Sequence, residues 1–242
     1  MATLFISDLH LSPERPAITR AFLLFLQQQA SKASALYILG DLFEAWIGDD
    51  DPSELSHQVQ TALRNLCDAG VSVWVQTGNR DFLIGSRFAI NTGASLIEDE
   101  HIVEAYGHRA LVMHGDSLCT DDRAYQRFRR HARNPLWQFL FNRLSLKRRQ
   151  RIASKLRVKS AMANSNKASA IMDVNNQAVE QALQRHNVPT LIHGHTHRPD
   201  RHQHKGGERI VLGDWHDIGW VLRMDASGYD LQSFKIAAVN QK

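Results

Sequence analysis

An α/β fold is the class this sequence predicts, on two observations. Five short apolar runs end abruptly in Asp, Asn or His, usually beside Gly: residues 2–10 (ATLFISDLH), 37–44 (YILGDLFE), 71–81 (VSVWVQTGNRD), 109–116 (RALVMHGD) and 190–197 (TLIHGHTH). Between several of them lie stretches whose apolar residues recur at helical spacing. One such ending is ordinary turn chemistry, because Gly, Asn and Asp are common turn residues. Five suggest parallel or mixed strands that place oxygen and imidazole groups on one edge of a sheet, where open α/β folds keep their sites.

In order, the first strand is followed by a helix over 16–32, with Pro16 where a helix start tolerates it. The second strand begins at Ala35. A helix follows over 53–69, with Ser53 as its N-cap and Gly70 after its end. The third strand leads to a shorter helix over 82–91, stopped near Gly93. Residues 95–103 then run into a hairpin turning at Tyr106, Gly107 and His108. Residues 123–170 carry no strand signal and read as two or three short helices, an excursion before the βα pattern resumes. Helix 174–186 and strand 190–193 follow. RIVLGDW, GWVLRMDA and YDLQSFKI read as antiparallel strands at the end. A single domain over 1–242 with a helical cap inserted at about 123–170 is expected, since no repeat or flexible linker interrupts the chain.

Composition narrows the class further. At 242 residues, 43% hydrophobic and 22% charged, the chain reads as soluble and globular with a full core. No apolar run approaches the roughly 20 residues of a membrane span, and the N-terminus lacks a basic leader, so a cytoplasmic location is expected. Cys67 and Cys119 have no metal spacing and are expected to remain thiols. The charge is uneven: residues 123–172 hold 14 Lys or Arg and no acid, leaving 15 basic against 25 acidic residues elsewhere.

The strand ends supply seven ligand groups: Asp8, His10, Asp41, Asn79, His114, His195 and His197. Seven mixed oxygen and nitrogen groups suit two metals about 3.5–4 Å apart that share a carboxylate and keep room for water or substrate. Asp41, on a central strand, is the expected bridge. Without thiolate the set favours Mn, Fe, Zn or Mg over copper. His193 reads as a core residue or a group behind the ligands, His101, His108, His131, His202 and His204 as solvent residues, and His216 as a residue that could approach the site.

The motifs DLH, GD, GNRD, HGD and GHTH, in that order, resemble the signature of the calcineurin-like metallophosphoesterases. That resemblance implies a four-layer αββα sandwich with a dinuclear centre. It places Asp8, His10, Asp41 and His197 on one metal, and Asp41, Asn79, His114 and His195 on the other. Asp81 and Asp116 would orient imidazoles. The longer stretches FISDLHLS, YILGDLFEAWIGDDD, GNRDFLIGSRFA, MHGDSLCTDD, MANSNKASAIMDVN and LIHGHTHRP are similar to the lipid A pathway pyrophosphohydrolases of that superfamily, from the first strand to His197. This implies cleavage of a lipid-linked UDP-sugar, UDP-2,3-diacylglucosamine, to UMP and 2,3-diacylglucosamine 1-phosphate, with two divalent ions, Mn2+ being the expected metal. Arg80 would present its planar fork to the phosphoryl charge, with His195 and Asp41 as further catalytic groups. Asn79, Arg80, Asp122, Ser160, Asn164, Lys167 and His195 would contact substrate.

On this reading Leu136, Trp137, Phe139, Leu140, Phe141 and Leu144 shelter acyl chains, while Arg143, Lys147, Arg148, Arg149 and Arg151 face anionic lipid of the inner leaflet. Peripheral attachment to the cytoplasmic face of the inner membrane is therefore expected, with no nucleic acid and no obligate protein partner. The rivals are a phosphodiesterase or nuclease of the same superfamily and a binding scaffold without catalysis. Against the first, the arginines mix with a large apolar cluster rather than with separated stacking aromatics; against the second stand the complete ligand set and Arg80.

Overall fold

The computed structural model describes residues 1–165 and 173–237, without the side chains of 157 and 159–165. The first half alternates strand and helix: β1 (Thr3–Ile6), α1 (Pro16–Gln28), β2 (Ala35–Leu39), α2 (Glu54–Asp68), β3 (Ser72–Gln76), α3 (Ser86–Thr92) and the short β4 (Ser95–Leu96). A hairpin of β5 (His101–Ala105) and β6 (His108–Met113) opens the second half. Helices α4 (Arg123–Ala132), α5 (Pro135–Asn142), α6 (Leu146–Ser165) and α7 (Asn176–His186) follow, then β7 (Thr190–His193), β8 (Asp200–His204), β9 (Gly207–Val211), β10 (Ile218–Asp225) and β11 (Gly228–Lys235).

The strands form two sheets, ordered β11-β10-β1-β2-β3-β4 and β5-β6-β7-β9-β8. Side-chain alternation explains the layers. Along β1 and β2, Leu4, Ile6, Leu36 and Ile38 join one cluster with α1, α2 and α3, whereas Phe5, Tyr37 and Leu39 join Val112, Ile192 and Ile210 between the sheets. On the other side Leu111, Met113 and Leu191 meet Val179 and Leu183 of α7. Each sheet is thus covered on both faces, and that is why its parallel strands read as continuous apolar runs. The result is the four-layer αββα sandwich. Full burial of side chains such as Phe5, Phe22 and Leu36 contributes about 1.5–3 kcal/mol each.

Local signals hold at most element ends. Ser53 accepts the Ser56 N–H and caps α2, Pro16 opens α1, and Gly93 at φ 74° closes α3. Tyr106 and Gly107, both at positive φ, make the tight hairpin turn between β5 and β6. Two expectations are corrected. Helix α3 begins at Ser86 rather than 82, because the Asp49 carboxylate accepts the Gly85 and Phe88 N–H groups at 3.0 Å and fixes the start from a distant loop. Residues 95–103 lead into the hairpin as expected, with β4 first pairing with β3 before the chain crosses to the other sheet. The strand holding Ile210 pairs parallel with β7 and antiparallel with β8, not with β10.

Helices α4 to α6 occupy the expected excursion, although α6 is long. Asn134 caps α5 through the Leu136 and Trp137 N–H groups, with Pro135 at its first turn. Phe141 is buried in the outer core of the first sheet and Trp137 and Leu144 pack against it, while Leu136, Phe139 and Leu140 remain exposed. The apolar residues of the excursion therefore divide between core and surface. Arg149 departs from its lipid-facing expectation: it is only 2% exposed, donates to the Ile47 carbonyl at 2.6 Å and pairs with Asp50. An ion-paired buried guanidinium cannot also face lipid.

Gly40, at φ +87°, turns the chain from β2 into the Asp41 loop. A Cβ there would lie 2.6 Å from His114 Nδ1 and 2.8 Å from the Gly78 Cα. Gly40→Ala is expected to cost about 1–3 kcal/mol from the backbone alone. Urea denaturation should show a lower midpoint at unchanged slope, and a variant as stable as the parent would contradict this account.

Candidate metal centre

Seven non-glycine residues among those described have positive φ, and five of them are Asp8, His10, Asp41, His195 and His197. The left-handed conformation is costly for residues with a Cβ and persists only where surrounding contacts enforce it. Here it kinks the chain just beyond β1, β2 and β7. Asn79 and His114 follow β3 and β6. The groups therefore come from the ends of five strands in two packed sheets, not from one sheet edge as expected.

Two clusters result. In the first, His10 Nε2 lies 3.3 Å from His197 Nε2, 4.0 Å from Asp8 Oδ1 and 3.9 Å from Asp41 Oδ2, and His197 Nε2 is 3.2 Å from Asp8 Oδ1. In the second, Asn79 Oδ1 lies 3.0 Å from His114 Nε2 and 2.8 Å from His195 Nδ1. Asp41 Oδ1 is 3.8 Å from that His114 nitrogen, so the two oxygens of Asp41 face different clusters. Asp8, Asp41 and His114 also bring one ligand atom each within 4.8 Å of one another.

The donor set fits cations. His114 Nδ1 faces the Leu39 carbonyl at 2.9 Å and donates to it, which leaves Nε2 as an acceptor beside the Asn79 oxygen, another acceptor. Such a contact is favourable only with positive charge shared between the two atoms. The electrostatics point the same way. Burial works against a charged His10, yet its contact with Glu44 and the charges of Asp41 and Asp8 push its pKa up to about 9. Burial likewise opposes a charged His114, and Asp41, Asp8 and Asp116 raise it nonetheless. Asp8 is held well below the usual carboxylate range, burial being outweighed by the His197 hydrogen bond and nearby imidazoles. His195 is brought down to about 4 by burial and by His114.

The model of the calcineurin-like phosphoesterases matches residues 1–199. The chain belongs to that family. It is a metal-dependent hydrolase, as the family and the candidate ligand clusters together require. Among curated relatives, a UDP-2,3-diacylglucosamine hydrolase of Enterobacter sp. (strain 638) is 54% identical over 97% of this chain and 99% of its own length. Another so named, from Escherichia coli O6:H1, is 52% identical over the same shares. A solved archaeal phosphodiesterase is 13% identical with a TM-score of 0.49, covering 97% of this chain and 100% of its own.

Around the phosphoesterase centre, Asp81 and Asp116 do not touch imidazoles as expected. Asp81 is a backbone anchor: it accepts the Gly78 and Leu42 N–H groups at 2.7 and 2.8 Å, with Asp41 and Phe43 at 3.3 and 3.4 Å, tying the Asn79 loop to the Asp41 loop. Burial and the Asp41 charge push Asp81 up to about 6. Asp116 accepts from the Tyr125 hydroxyl at 2.6 Å and from Arg129 Nε at 2.8 Å. The Tyr125 ring stacks on His195 with centroids 6.1 Å apart. Arg133 donates to the Thr77 and Gly78 carbonyls at 3.1 Å and to Asp99 at 2.6 Å. Sequence reasoning missed Tyr125, Arg129 and Arg133; the Arg129/Arg133 pair one turn apart was the available signal.

The remaining expected residues divide. Arg80 sits at the rim, its backbone N–H donating to Asp41 Oδ1 at 2.8 Å. Asp122 is buried and accepts the Tyr125 N–H at 3.0 Å, capping α4. The side chains of Ser160 and Asn164, and Lys167 altogether, lie outside the described residues. His216 is exposed beside Asp217.

His193 is fully buried, and burial followed by the Arg209 charge brings it down to about 3. Its folded pKa lies below the ordinary 6.5, so the unfolded chain gains a proton first as pH falls. The stability involved is complete above 6.5 and is lost on the way down to about 3. In metal-free protein, His193→Gln should reduce the pH slope of unfolding free energy in that window by one proton, about 1.4 kcal/mol per pH unit. Equal slopes would refute the assignment.

Proposed function

We propose that this chain hydrolyses the pyrophosphate of UDP-2,3-diacylglucosamine, giving UMP and 2,3-diacylglucosamine 1-phosphate (lipid X), a step of lipid A biosynthesis. The observation that carries this is the near full-length identity, 52–54%, to relatives named for that substrate. Asp8, His10, Asp41 and His197 would hold one divalent ion and Asp41, Asn79, His114 and His195 the other, with Mn2+ our choice for both. When bound, such ions supply charge against the phosphoryl oxygens and make a water acidic enough to attack at neutral pH.

The chain's own residues do the rest. Arg80 offers two parallel N–H groups to the equatorial oxygens as charge gathers there. Asn79 and His195 orient the same phosphoryl group, and His195, neutral at pH 7, would donate the N–H of the ring nitrogen that holds no cation to a phosphoryl oxygen. The water oxygen bonds to the α-phosphorus, and the bond from that phosphorus to the bridging oxygen breaks, leaving the second phosphate on the sugar lipid. Asp122, Ser160, Asn164 and Lys167 complete the substrate contacts, and residues 123–170 serve as a cap over the acyl chains.

Hydrolysis in oxygen-18 water, followed by phosphorus NMR, should place the label in UMP, and only with metal present. No turnover by metal-loaded protein would discard the lipid substrate, and phosphodiesters and DNA ends would be tried next. Arg80→Ala should keep its metal and lose about 100-fold or more in kcat, whereas Asp41→Asn should lose both; the reverse pattern would overturn these roles.

Among the described residues no helix is long and apolar enough to cross a membrane. Exposed Leu136, Phe139 and Leu140, with Arg143 stacked over Phe139 at 4.6 Å, suit reversible attachment to the anionic inner leaflet from the cytoplasm. Sedimentation with phosphatidylglycerol vesicles should be strong at low salt and fall with added salt; protein that stays in the supernatant at low salt would exclude it.

A further inference from the structure

Glu44 closes the stretch YILGDLFE and has no part in the ligand set, yet its position is tightly prescribed. Beyond the ends of β1 and β2 the two loops stay zipped together: Asp8 N–H donates to the Gly40 carbonyl, His10 to Asp41, Leu11 to Leu42, and Glu44 back to Leu11, all at 2.9–3.1 Å. The backbone therefore delivers the Glu44 carboxylate beside the first cluster. Its Oε2 lies 3.2 Å from His10 Nδ1, and its Oε1 lies 3.5 Å from Arg80 Nη1. His10 turns its other nitrogen, Nε2, toward Asp8, Asp41 and His197.

We propose that Glu44 is a positioning residue that couples the metal centre to the phosphate-binding arginine. The 3.2 Å approach is an ion-pair contact that does not complete a hydrogen bond to Nδ1; a carboxylate this close still favours the proton on that nitrogen and leaves the lone pair to Nε2, the atom aimed into the cluster. The second oxygen restrains Arg80 at the rim, so that its guanidinium is already beside the centre when an anionic phosphoryl group arrives. One side chain thereby sets both the ring that faces one cation and the fork that meets the substrate. The proposal rests on the reading of the chain as a metal-dependent pyrophosphohydrolase. A merely structural ion pair at a part-exposed rim would contribute little to stability and would leave metal affinity unchanged.

Three full-length variants separate the two halves of the role. Glu44→Ala removes both contacts. Glu44→Gln keeps an oxygen that can accept from Nδ1 but loses the charge that restrains Arg80. Glu44→Asp keeps the charge on a shorter arm. Mn2+ affinity by calorimetry, the His10 tautomer by nitrogen-15 NMR of metal-free protein above about pH 10, where the ring has lost its second proton, and KM with kcat on UDP-2,3-diacylglucosamine are the readouts.

Glu44→Ala should weaken Mn2+ binding about tenfold or more, remove the dominance of the Nδ1–H form of His10 and raise KM. Glu44→Gln should retain the tautomer and most of the metal affinity while raising KM, and Glu44→Asp should recover part of each loss. Parental Mn2+ affinity and an unchanged His10 tautomer in Glu44→Ala would overturn the proposal. A parent that binds Mn2+ but does not turn over the lipid would overturn the substrate alone, because the calorimetric and NMR readouts do not depend on it.

Discussion

The structure depends on forcing like groups into one small volume. Carboxylates, an amide oxygen and imidazole lone pairs repel one another when buried together, and no apolar packing brings them there by itself. The left-handed kinks at Asp8, His10, Asp41, His195 and His197 do so, at a cost in backbone strain. That cost is offset by the two packed sheets, whose buried strands hold the loops on either side. Asp81 completes the arrangement by gathering backbone N–H groups from two neighbouring loops onto one carboxylate.

Charge balance follows from this crowding. Without cations, the centre draws protons onto His10 and His114 against the penalty of burial. Behind it, a second layer of charge is already balanced: Asp116 and Asp99 are matched by Arg129 and Arg133. The inner layer therefore presents an unmet demand for positive charge, while the outer layer makes none. The site can take up divalent ions without disturbing its own support.

Much of this was legible in the sequence. The apolar runs closing in Asp, Asn and His marked the strands and the groups that converge, since burial on both faces of a sheet leaves a continuous apolar pattern. What stayed hidden were contacts between residues distant in sequence. The Asp49 carboxylate that starts α3 lies 36 residues before Gly85. Arg149 looked like one more charge in a basic run, but its partner Asp50 belongs to a loop 99 residues earlier. The division of the strands between two sheets was equally invisible, because the hydrophobic pattern of β4 and β5 does not record which neighbour each will find.

The grip of Arg133 on the Thr77 and Gly78 carbonyls has a consequence for how such an enzyme can change. These carbonyls belong to the loop that carries Asn79, and the residue that satisfies them caps the C-terminal end of α4, within the helical excursion. The metal centre and the helical excursion are therefore not separable modules. Exchanging these helices for another set would also remove a support of the loop that presents Asn79. Any lineage that redesigned them would have had to re-anchor this loop in the same step.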